Sequence, residues 1–108
     1  MRVELLFADG DPAAMSARQN LVEVLTEDAF ETPIQMIAVA SEDDAELLGM
    51  RGSPMIRIDG IDVEPDWDGP IGLASRTYDG DGIPAKALIR RAVERARGWG
   101  HGRSPRRR

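Results

Sequence analysis

Gly52-Ser53-Pro54-Met55-Ile56-Arg57-Ile58-Asp59-Gly60-Ile61-Asp62-Val63 is the stretch on which the reading of the fold turns. Met55 to Ile58 is rich in branched apolar residues and suits a strand. Asp59-Gly60 is a strong signal for a two-residue hairpin, because both residues tolerate the positive φ that such a turn needs. Ile61-Asp62-Val63 then alternates as a returning strand should. Ahead of the pair, Gly-Ser-Pro interrupts whatever precedes it and forces a turn directly into the strand.

Upstream, Ser41-Glu42-Asp43-Asp44 has the form of a capping box and opens a short helix through Leu47 and Leu48 to Gly49. Before it, Ile34 to Val39 is almost continuously apolar. That pattern predicts an interior strand, paired in parallel with an earlier one through a helical crossover. The crossover begins at Asp11-Pro12, an N-cap followed by proline at the first helical position. Ala14, Ala17, Leu21, Val24 and Leu25 recur at helical spacing and predict one buried face, ending near Glu27. Val3 to Ala8 is the first strand, closed by Asp9-Gly10.

Downstream, residues 64–72 are acidic and hold Pro65, Gly69 and Pro70, which predicts a loop. Leu73 to Tyr78 reads as a further strand, and Asp79-Gly80-Asp81-Gly82 as a turn. Pro84 starts a last helix with Leu88, Ile89, Ala92, Val93 and Ala96 on its apolar face. The predicted class is α/β: a four-stranded mixed sheet flanked by about three helices, in the order β-α-β-α-β-β-α. A domain over residues 1–97 is followed by a basic tail, 98–108, with no periodicity, expected to be disordered and to pack on little.

The 108 residues suffice for one domain and one core. The net charge of −5 is divided along the chain. Residues 1–83 carry five arginines against 18 acids, whereas residues 84–108 carry nine basic side chains against Glu94 alone. A basic end can be a nucleic-acid or membrane arm, or a solvated helix with a solubilising tail. Without interleaved aromatics, and beside an acidic body that repels polyanions, nucleic acid is not the expected partner. No apolar run is long enough for a membrane span, and no signal peptide is evident, so a cytoplasmic location and no membrane partner are expected.

The chain has no cysteine, which excludes disulfides, thiolate metal sites and cysteine nucleophiles together. Glu64-Pro65-Asp66-Trp67-Asp68-Gly69 spaces its acids like the first half of a calcium loop. The twelfth position, however, is Ser75, where a bidentate Glu is required. His101 is the sole histidine and stands among glycines, without partners for ligation or base catalysis. No Ser-His-Asp set and no phosphate-binding glycine loop is present, so no metal, no cofactor and no catalytic residue is expected. Trp67 and Trp99 sit in loop-like contexts and are expected to pack partially on the domain.

The order of elements, with Gly52-Ser53-Pro54-Met55-Ile56 before the third strand, resembles the thioredoxin-like superfamily. The stretch Phe7 to Ala14 is similar to the redox loop of small bacterial thioredoxin-like proteins, which usually reads Gly-Cys-Pro-x-Cys. Asp11 stands at the first cysteine position and Ala14 at the second. Asp59 to Pro65 and Leu73-Ala74-Ser75-Arg76 continue the likeness toward a cysteine-bearing subgroup sometimes labelled alkylmercury-lyase-like. There a further cysteine precedes the arginine, and Ala74 is its nearest replacement here. The resemblance implies a thioredoxin-like fold, a cis peptide bond before Pro54, and a partner-binding groove at Asp11, Pro12, Ala14, Ser53 and Pro54. In that groove the backbone of Ser53 would offer an edge to an incoming strand.

Thiol exchange does not carry over, because it needs a thiolate to attack and a thiol to leave. The expected function is therefore a redox-inactive module that binds a protein or peptide. Two alternatives stand beside it. One is an enzyme of the same fold with non-thiol chemistry at Asp11 or Ser53. The other is charge-driven binding through the basic end.

Overall fold

The computed structural model describes residues 1–27 and 32–98. Strand β1 (Val3–Ala8) leads through a turn to helix α1 (Ala13–Glu27) and back to β2 (Ile34–Val39). Helix α2 (Glu42–Leu48) follows, then β3 (Arg51–Ser53), β4 (Met55–Ile58) and β5 (Ile61–Asp62). After the acidic loop come β6 (Gly72–Ser75), a 3₁₀ turn (Tyr78–Gly80) and α3 (Lys86–Ala96). The four-stranded mixed sheet has the order β2-β1-β4-β5, with β1 parallel to β2 and antiparallel to β4. A second, two-stranded parallel sheet joins β3 to β6.

Alternation along the strands divides the core in two. Val3 and Leu5 of β1, with Ile56 and Ile58 of β4, face α1 and α3. Leu6 of β1 and Met55 of β4 face the other way, toward Val39, Ala45 of α2 and Met50. Helix α1 buries Ala14, Ala17, Leu21, Val24 and Leu25, the face that its spacing predicts. It lies beside α3 and runs in the same direction. Asn20 Nδ2 donates to Pro84 O at 3.0 Å, Glu23 pairs with Lys86, and Glu27 Oε1 is 2.8 Å from Arg90 Nη2. In α2, Ser41 Oγ accepts from the Asp44 N–H at 3.1 Å, and Gly49 closes the helix at φ 67°. The hairpin turns on Asp59 and Gly60, both at positive φ, and Asp59 Oδ1 accepts from the Arg2 N–H at 2.7 Å.

Four expectations need correction. β2 pairs in parallel with β1 but is an edge strand, with Gln35, Met36 and Ala38 exposed; apolarity alone did not reveal how many neighbours it has. The strand expected over 73–78 stops at Ser75, and Tyr78 turns into the 3₁₀ segment at φ 42°. β3 was not anticipated, since three residues centred on a glycine carry no strand pattern. On α3 the buried residues are Ile89, Ala92 and Val93, while Leu88 is half-buried and Ala96 exposed. The tail reading concerns residues that, from 99 onward, lie outside those described. Among the described residues no helix is long and apolar enough to cross a membrane.

Candidate functional site

The turn after β1 brings the start of α1 against the loop between β3 and β4, where Ser53–Pro54 is a cis peptide bond. Ser53 Oγ accepts from the Ala8 N–H at 2.8 Å and donates to Asp11 Oδ2 at 2.5 Å. Asp11 Oδ1 in turn accepts from the Ala13 N–H at 2.9 Å. One carboxylate thus caps the helix and ties it to the proline loop. Of the five groove candidates, Asp11 and Ser53 touch directly. Pro12 is exposed, Asp11 half-buried, and Ala14, Ser53 and Pro54 are buried.

The edge that Ser53 was expected to offer is occupied from within the chain. Ser53 O accepts from the Arg76 N–H at 2.9 Å as β6 pairs beside β3. Pro54 O accepts from the Tyr78 hydroxyl at 2.5 Å. The proline loop is therefore held from the helix side by Asp11 and from the far side by the segment after β6.

Arg76 anchors that segment, and its side chain is wholly buried. Its Nη1 donates to Asp62 Oδ2 at 2.6 Å and to Arg51 O at 3.2 Å, and its Nη2 to Glu64 Oε1 at 2.9 Å. The guanidinium carbon lies 4.1 Å from the Trp67 ring centroid and 4.5 Å from that of Tyr78. Burial opposes the charge, but the hydrogen bond to Asp62 and the neighbouring negative groups outweigh it, so its pKa stands above the ordinary arginine value. Among the described residues Nε finds no partner. Two glycines make room for the arrangement. A Cβ at Gly52, at φ 81°, would lie 2.4 Å from Arg76 Cγ, and one at Gly69 would lie 2.1 Å from Trp67 ring carbons.

Beside this cluster, on the part of the sheet that α2 leaves uncovered, is a cleft of about 410 Å³. Met55 and Arg57 of β4 and Asp62 of β5 line one side, and Asp66, Trp67 and Asp68 the other. Arg57 is tied to Glu4 Oε1 at 3.2 Å and to Leu48 O at 2.7 Å, and Arg51, also on the lining, donates to Gly69 O at 2.8 Å. Glu64, the first acid of the calcium-like spacing, is engaged by Arg76. Among the described residues no group of three or more His, Cys, Asp or Glu is disposed to hold a metal ion.

Reading the residues one by one did not find this cluster. Arg76 entered only through a family likeness, Asp62 through a hairpin and Glu64 through a calcium spacing. The one local signal was an arginine within an otherwise uncharged stretch, Gly69 to Tyr78. Comparison with family models, curated proteins and solved structures gave no match for this chain.

The double role of Asp11 leads to a direct expectation. Asp11→Ala removes the helix cap and leaves the buried Ser53 hydroxyl without its acceptor, so chemical denaturation should report a loss of about 1 to 2 kcal/mol. Asp11→Asn keeps an oxygen for the Ala13 N–H and should retain about half of that.

Proposed function

We propose that this chain is a thioredoxin-like domain without thiol chemistry that works by holding a protein or peptide partner. The observation that carries the reading is the Asp11–Ser53 contact. The polar groups at the start of α1 and beside cis-Pro54 are spent on each other and on the backbone. The order of elements and the placing of α1 against the proline loop support the family likeness. An enzyme at this position would need a hydroxyl able to reach a substrate, whereas Ser53 is 2% exposed. With the Ser53 edge taken by β6, the open face left to a partner is the cleft between β4 and the 64–69 loop.

Reduction of insulin by dithiothreitol separates binding from redox chemistry: the rate with protein should match the blank, and acceleration proportional to protein would refute the reading. Asp11→Cys with Ala14→Cys tests the family alignment, since a folded double variant should close a disulfide on mild oxidation. The docking face is tested by pull-down. A partner retained by the natural chain should be lost with Trp67→Ala and kept by a Pro12→Ala control.

A further inference from the structure

The cleft beside Trp67 is unequal in charge. Asp62, Asp66 and Asp68 line it and Glu4 is tied to its Arg57, against the lining Arg51 and Arg57, while Arg76 and Glu64 lie beside it. Arg57 and Arg76 are held by carboxylates of the chain itself, and Arg51 is bonded to a carbonyl. Asp66 and Asp68 are exposed on either side of half-buried Trp67. This combination suits guanidinium groups, whose charge meets the two carboxylates while their stems lie on the indole and on Met55.

The sequence holds one segment of that chemistry beyond the described residues. Residues 99–108 carry Arg103, Arg106, Arg107 and Arg108 and no acid. They leave from the end of α3, which packs through Ile89 and Val93 on Ile56 and Ile58 of β4. The opposite face of that strand supplies Met55 and Arg57 to the cleft. Ten extended residues reach about 33 Å. Packed layers are only roughly 10 Å apart, so the segment is long enough to round the short edge strand β5.

We propose that the arginine-rich segment 99–108 seats in the Trp67 cleft of its own chain, against Asp66 and Asp68, and so occludes the face offered to a partner. The proposal takes the cleft as the docking face, as the binding reading does, but its test involves no partner, so the two can fail separately.

Because the chain has no cysteine, Ser104→Cys carries a single nitroxide and leaves every arginine in place. A tethered segment has an effective concentration of about 1 mM, so a seat with a Kd of that order is half filled. The amide and indole signals of Trp67 and the amide of Asp68 should then lose most of their intensity relative to the reduced label. Signals of α2 should keep theirs. The loss should vanish with Asp66→Asn plus Asp68→Asn, and in 1 M salt, where the Debye length is about 3 Å. Undiminished Trp67 signals, or broadening centred on the acids of α2, would overturn the proposal. So would equal broadening of an isotope-labelled, unspinned chain mixed with a spin-labelled one, which would place the segment on a second copy.

Discussion

Arg76→Met should unfold at markedly lower denaturant, with a loss of about 3 to 5 kcal/mol, the usual result of removing one partner from a buried ion pair. The substitution leaves Asp62, whose side chain is 13% exposed, without its cation. It also removes a donor from Arg51 O and the charge held between Trp67 and Tyr78. Arg76→Lys should recover little, because an ammonium cannot reach two carboxylates and a carbonyl with the planar fork that the site uses. Adding Asp62→Asn and Glu64→Gln to Arg76→Met should restore part of the loss, since the charges then disappear together. A single Arg76→Met variant within about 1 kcal/mol of the natural chain would show that the cluster is incidental to stability.

The second large effect lies at alkaline pH. Burial pushes the Tyr78 phenol above its ordinary range, and Asp62 and Glu64 push the same way, against the pull of Arg76. In the unfolded chain the phenol ionises near pH 10. Its contribution to stability is therefore whole below that pH and is lost as pH rises toward the higher folded value. The slope approaches about 1.4 kcal/mol per pH unit. Tyr78 is the single tyrosine of the chain, so tyrosinate absorbance reports it directly and should rise together with the loss of helical dichroism. Tyr78→Phe should flatten this slope while lowering stability at neutral pH, because Pro54 O loses its donor. Tyrosinate forming near pH 10 in a chain that is still folded would contradict the buried placement.

Both effects concern residues that the sequence marks poorly, and the reason is the range over which they act. Helix α1 could be read because its five buried positions repeat every three or four residues, and the Asp59-Gly60 turn because φ and residue type are coupled locally. The same holds for the α2 caps at Ser41 and Gly49. Arg76 meets partners 12 and 14 residues away, and Asp11 meets Ser53 across 42. No period connects such pairs. A wholly buried arginine also runs against the general tendency of that residue to lie at the surface. For β2 the composition reported a strand, but position in a sheet depends on which other strands arrive, and β4 took the far side of β1 instead.

That placement has a colloidal consequence. Ile34 to Val39 contains no charged residue, and among the described residues no strand pairs with the outer side of β2. Edge strands are ordinarily kept apart by lysines, prolines or bulges placed in the strand itself. Here Pro33 guards only one end, and the nearest described acids beyond the other are Glu42, Asp43 and Asp44 at the start of α2. Mutual repulsion between molecules of net charge −5 thus does at a distance what an in-strand lysine would do in place, and salt weakens repulsion of that kind. Concentrated solutions should accordingly stay clear best at low ionic strength.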